Sequence, residues 1–226
     1  MKKTVKSSKL SAFTLIELLV VIAIMGILAS LLFPAIQGAL LNAQALRVGN
    51  NGRSTVQSII QTNIELESMS KGSVWPKSAN KPTSHNYTTA NTYFQWLLGN
   101  GYISVPLATF AGGGVPAAPS VDDLGTGDYN IWKVVADMGD AGSDEIPILY
   151  TRNLTLTAPD FNDQTTDTKW SDRFDGEKDP FRDKIVVAVT KGAALNSIKK
   201  SYLYNQTFLG GVGFTNGTTV VILDTK

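Results

Sequence analysis

Cysteine is missing from all 226 residues. That excludes disulfides, thiolate-ligated zinc, a thiol nucleophile and a lipid-modified N-terminal cysteine. It does not exclude an oxidising compartment, because a domain of this size can bury an adequate core without staples. Histidine is nearly missing too: the single one, His85, lies in the polar stretch "KPTSHNYTT" and reads as a solvated loop residue. A Ser-His-Asp or Cys-His arrangement would have to use that residue, and no H-E-x-x-H or His-rich metal set exists. Charge is sparse at 17% and nearly balanced, with a formal net charge of +1. No basic stripe interleaved with aromatics is present, so nucleic acid is not an expected partner. The glycines of "FAGGGVPAAPS" lack the Lys-Ser/Thr that a phosphate-binding loop needs. Nothing here points to an enzyme.

What is present is concentrated at the start. Lys2, Lys3, Lys6 and Lys9 precede any acidic residue, and subtracting those four from +1 leaves −3 for the remainder. An apolar run follows, "LLVVIAIMGILASLLF" from Leu18 to Phe33, continuing through Pro34, Ala35 and Ile36. Counted from Phe13 it is roughly two dozen residues, about 36 Å as a helix, enough for a hydrocarbon core of ~30 Å. The positive-inside rule then places the N-terminus on the cytoplasmic side and the bulk of the chain outside. A signal peptide cut after the run would need a small-residue site, and Ala43 and Ala45 in "NAQA" lie well past it.

Glu17 interrupts this run near its start. Thr14 and Glu17 fit the T-x-x-E capping box, in which each side chain satisfies a free amide of the first helical turn. The helix dipole favours a negative charge there as well. A carboxylate at the membrane boundary nevertheless carries a burial cost, up to ~3 kcal/mol at the helix centre and less near the interface.

The stretch "SAFTLIELLVVIAIMGILASLLFPAI" resembles the N-terminal signature of type IV prepilins and type II secretion pseudopilins. The resemblance covers the first 50 to 70 residues and implies a processing route. The leader would be cut between Ala12 and Phe13 by a prepilin peptidase, and Phe13 would be N-methylated. Ala12 departs from the family, which has glycine immediately before the cut. Glu17 would attract the new amine of a neighbouring subunit, and Gly26 and Pro34 would loosen the helix during assembly. Pro34 removes the amide that would bond the carbonyl of Ser30, which fits that role.

The implied fold is α+β and pilin-like: a long N-terminal helix packed on a small antiparallel sheet domain. The expected organisation is a leader over 1–12, a transmembrane and assembly helix over 13–36, its amphipathic continuation over 37–70 and an exported globular domain over 71–226. Along the continuation, Ile36, Leu40, Ala43, Leu46, Val56, Ile59, Ile60, Ile64 and Met69 recur at roughly helical spacing, and "GNNG" at 49–52 reads as a weak point. A breaker-rich linker spans 71–84. Short helices are expected over 91–103 and 130–139. Strands are expected over 146–151, 183–191 and 218–224, and a weaker one over 201–211.

The function implied is a structural subunit of a type IV pilus-like filament, as a type II secretion pseudopilin. Its expected partners are other pilin or pseudopilin subunits, the prepilin peptidase and an inner-membrane assembly platform. Its expected place is the bacterial cytoplasmic membrane as a single-pass protein, the C-terminal domain periplasmic or extracellular. The alternative is a signal-anchored envelope protein whose ectodomain binds a ligand. No cofactor is certain. Calcium is the candidate, because "DRFDGEKD" has the composition of an oxygen-ligand loop without EF-hand spacing, with Asp172, Asp175 and Asp179 as ligands.

Overall fold

A computed structural model describes residues 13–77, 87–138, 143–162, 168–209 and 220–225. The leader with Ala12, and His85, lie outside them. In chain order the elements are helices α1 (Leu15–Ser68), α2 (Ala90–Gly99) and α3 (Val121–Thr126), and strands β1 (Trp132–Ala136) and β2 (Pro147–Thr151). Helix α4 (Ala158–Asn162), strands β3 (Ile185–Thr190) and β4 (Leu195–Lys199), helix α5 (Asn205–Leu209) and strand β5 (Val221–Leu223) follow. The chain divides into two compact units between Asn42 and Ala43, and the helix α1 is continuous across that boundary.

The second unit holds an antiparallel sheet of five strands in the order β4-β3-β2-β1-β5. The first four strands form a meander, and β5 returns to pair with β1. The register sets Trp132 opposite Thr151, Val134 opposite both Leu149 and Leu223, and Val187 opposite Ser197. Every residue of β1, β2 and β3 is buried. A strand buried at every position needs cover on both faces. One face receives α1. Gly52 of that helix sits against Trp132 and Val189, and Gly49 against Leu195. Alternation turns Tyr150 to the other face, where its ring meets Phe208 of α5 edge-on at 5.7 Å, and Trp170 meets Phe208 at the same distance with its ring tilted. An aromatic cluster fixes α2, with Phe94 against Phe110 at 4.6 Å and Trp96 against Tyr102 at 4.9 Å.

The α+β architecture is the expected one, and strands stand within 146–151, 183–191 and 218–224 as expected. Three local expectations are corrected. "GNNG" is no weak point: α1 runs through it, and Gly49 and Gly52 are buried. With no side chain they let the helix axis approach the sheet closely. The buried stripe is accordingly Ala45, Val48, Gly49, Gly52, Thr55, Val56 and Ile59, whereas Leu46, Ile64 and Met69 are exposed.

Residues 130–139 hold a strand, not a helix. β1 gains backbone partners on both sides, and Asn130 accepts from the Trp132 amide at 2.9 Å while donating to its carbonyl at 2.8 Å. Long-range pairing overrides local propensity there. Within 201–211, a short helix replaces the expected strand. Asn205 Oδ1 accepts from the amides of Thr168 and Gln206, which turns the chain and drives Phe208 and Leu209 inward.

Candidate functional site

Helix α1 starts with a reciprocal cap. Glu17 Oε2 accepts from the Thr14 amide and from the Thr14 hydroxyl, each at 2.8 Å, and Thr14 Oγ1 accepts from the Glu17 amide at 3.3 Å. This is the box read from T-x-x-E, closed in both directions. It has a chemical consequence. Both cap bonds go to one carboxylate oxygen, Oε2, so the cap leaves the other, Oε1, for another donor. Phe13, Ile16, Val20 and Val21 line a shallow depression together with Glu17. A cation reaching Oε1 would therefore be partly desolvated, which strengthens its attraction to the carboxylate.

From Phe13 through Leu40 every residue is exposed, and Glu17 is the one charge among them. The helix is long and apolar enough to cross a membrane. An exposed, predominantly apolar surface of this extent is far beyond what soluble monomers carry and marks a membrane or protein interface. Gly26 and Pro34 both lie inside the unbroken helix; no atom of another segment comes within 4 Å of where a Gly26 Cβ would sit. Ser30 donates its hydroxyl to the carbonyl of Ile27 at 2.7 Å, a back-bond of the kind that accompanies loosened turns.

The structure does not assemble the three calcium candidates. Among the described residues no group of three or more acidic or histidine side chains has the geometry to hold a metal ion. Asp172 accepts from the Ser171 hydroxyl at 3.3 Å. Asp175 accepts from the amide of Glu177 and lies 3.8 Å from Lys178. Asp179 lies 4.0 Å from Arg182 and packs beside Gly114. Each carboxylate is engaged with its own surroundings.

Two further features were not singled out in the sequence. The first is a cleft of about 460 Å³ between α1 residues Gln44, Arg47, Val48 and Asn51 and the loop carrying Gly112, Gly113 and Gly114, with Phe181 also in its lining. Arg47 is the one ionisable group in its lining, so it offers no acid–base pair. The second is Lys133, 1% exposed and the second residue of β1, whose Nζ lies 3.1 Å from Asp224 Oδ2. Its signal was a lysine inside the apolar run "IWKVV", within a segment read as a short helix.

The Lys133–Asp224 pair makes a stability prediction. Partial burial of Asp224 disfavours its charge, but Lys133 beside it, with the Thr225 amide, outweighs that and holds the carboxyl below its ordinary value. A depressed carboxyl contributes stability that is fully present above the unfolded pKa and is lost as pH falls through the folded one. Asp224→Asn is expected to cost about 1–2 kcal/mol at neutral pH, discounted because the carboxylate is half exposed. The gap to the wild type should close below about pH 4. Urea unfolding of both proteins at several pH values checks this; a gap independent of pH would refute it. Lys133→Met should be neutral or stabilising, because no charge is then buried.

Residues 8–33 match the family model described as the prokaryotic N-terminal methylation motif. Neither a curated protein nor a solved structure matches the chain. The motif ends one residue before Pro34 and contains the whole capped start of α1. The chain thus carries the prepilin-type signature at its N-terminus, at the head of a long apolar helix that leads into an α+β domain.

Proposed function

We propose that this protein is a structural subunit of a type IV pilus-like filament, and within that class a type II secretion pseudopilin, with no catalysis of its own. The carrying observation is the capped Glu17 at the head of a helix half that is exposed from Phe13 to Leu40. A membrane covers the apolar surface before assembly, and neighbouring subunits cover it afterwards.

The processing step supplies the missing cation. Cutting between Ala12 and Phe13 leaves an ammonium on Phe13. Glu17 Oε1 of a neighbour is its counter-ion, while the cap keeps the carboxylate's other oxygen occupied. Lys2, Lys3, Lys6 and Lys9 hold the leader on the cytoplasmic side until the cut, and the domain after α1 stands on the opposite side of the membrane. Gly26 and Pro34 weaken the helix where subunits must pack.

Edman sequencing and mass spectrometry of the membrane-extracted protein test this reading. The expected product begins at Phe13 and carries one N-methyl group. A chain that begins at Met1 would instead support the signal-anchored ectodomain. Secretion assays on a strain lacking the protein address the finer assignment, since a pseudopilin is needed for protein export and not for surface piliation.

A further inference from the structure

The cleft between α1 and the triple-glycine loop has no part in the filament reading, and every residue lining it belongs to the second compact unit. Its two walls differ in chemistry. Gln44, Arg47 and Asn51 stand three and four residues apart, so α1 turns one polar stripe toward it. The facing wall is small and apolar, with Ala111, Val115 and Phe181 beside the glycines. Arg47 supplies the one charge of the lining, and among the described residues no ion pair occupies it.

Phe181 is held in that wall under strain. Its φ is +66° and that of Arg182 is +48°, left-handed values that bulky side chains seldom adopt. Four hydrogen bonds hold the turn. Arg152 Nε donates to the carbonyl of Asp179 at 2.9 Å, and the Lys184 amide to that of Phe181 at 3.0 Å. Asn153 Nδ2 donates to the carbonyls of Arg182 and Ile185, at 2.6 and 2.8 Å. Strain that the surroundings over-determine in this way collects at ligand clamps. The glycine loop is fixed as well, because a Cβ at Gly112 would collide with Val48 and one at Gly113 with Pro180. The cleft is therefore a preformed one.

We propose that this cleft binds the C-terminal end of an extended peptide, its free carboxylate on Arg47 and its last side chain against the apolar wall. The proposal goes beyond the filament reading and does not depend on it. A guanidinium meets a carboxylate through two parallel N–H···O bonds, and a single arginine matches a single negative charge. The carboxamides of Gln44 and Asn51 each offer a donor and an acceptor, the complement of a peptide unit. From Gln44 to Asn51 the helix rises ~10 Å, the reach of about three extended residues. The volume of about 460 Å³ lies within the range of small-ligand sites. Polarity sets the direction. A Cβ at Gly114 would lie 2.8 Å from Oδ2 of Asp179, so that end of the loop stands beside a carboxylate and repels an anion. The charged end of the peptide is thereby directed to α1.

The test titrates the full-length chain in detergent micelles with dye-labelled tripeptides Gly-Ser-X, where X is Ala, Val or Leu, read by fluorescence anisotropy. Each is used as the free acid and as the C-terminal amide. At least one free acid is expected to bind with a Kd below about 1 mM, and its amide roughly tenfold more weakly. Arg47→Gln should weaken the free acid roughly tenfold and leave the amide within about twofold. Arg53→Gln, on the same helix but outside the lining, should change neither. Ala117→Trp, at an exposed position of the lining, should block both, with its melting temperature showing that it folds. The proposal is overturned if no free acid saturates, if acid and amide bind alike, or if Arg47→Gln binds like the wild type. It is overturned too if N-acetyl-leucine binds as tightly as the best tripeptide, for the cleft then takes a small carboxylate and not a chain end. None of these outcomes touches the cut before Phe13 or the filament yield, which test the filament reading separately.

Discussion

Gly52→Leu is expected to cost at least about 3 kcal/mol, enough to leave the domain after α1 only marginally folded. A Cβ at Gly52 would lie 2.7 Å from Cη2 and from Cζ2 of Trp132, and 3.0 Å from Cγ2 of Val189. Real Cβ atoms do not approach that closely. Trp132 is fully buried at the centre of the sheet, with its indole N–H donating to the carbonyl of Thr109, so its ring has nowhere to retreat. Gly52→Ala tests the same contact more gently. It should cost about 1–3 kcal/mol, a drop in Tm of roughly 3–10 °C for a chain of this length. Gly38→Ala is the control, because nothing lies within 4 Å of its Cβ position, and there alanine should be neutral or slightly stabilising. Thermal unfolding of all the variants, followed by near-ultraviolet signals, decides the matter. If Gly52→Ala melts with the wild type, α1 does not meet the sheet as described.

Glu17→Gln is expected to leave processing intact and to lower filament yield at least tenfold. Glutamine serves in a capping box as glutamate does, so the bonds from Thr14 survive and the helix start is unchanged. What disappears is the charge. An ammonium left without its counter-ion in an apolar interface is strongly destabilising, by several kcal/mol where burial is complete. Glu17→Ala removes both the cap and the charge and should assemble no better than Glu17→Gln. Cleavage is followed by N-terminal sequencing and filaments by sedimentation. Correctly processed Glu17→Gln protein that assembles at full yield would show that the carboxylate is a cap and nothing more.

These two residues mark what a reading of the sequence can and cannot reach. Glu17 was legible because its partner lies three residues away: T-x-x-E is a local arrangement, and the helix start that closes it depends on little else. The exposed apolar run was legible for the same reason, since its length and lack of charge are properties of consecutive residues. Gly52 was misread because its partners are distant in the chain. From sequence, "GNNG" is two residues of low helix propensity on either side of two asparagines. In the fold it is the place where α1 lies against Trp132 and Val189, 80 and 137 positions beyond Gly52. The strand at Trp132–Ala136 was misread likewise, because its stability comes from Thr151 on one side and Leu223 on the other.

By itself the sequence determined the capped start, the membrane-length helix, the processing signature and the α+β class, all of which follow from local spacing and composition. Only the tertiary structure decided which face of α1 meets the sheet, that Lys133 is buried against Asp224, and that Asp172, Asp175 and Asp179 do not converge. Among the described residues it gives Arg47, Arg53, Glu65 and Glu67 no ion pair. The reason is physical: local patterns fix what a segment can form, whereas close approach, charge pairing and ligand convergence depend on residues that meet only after the chain has folded.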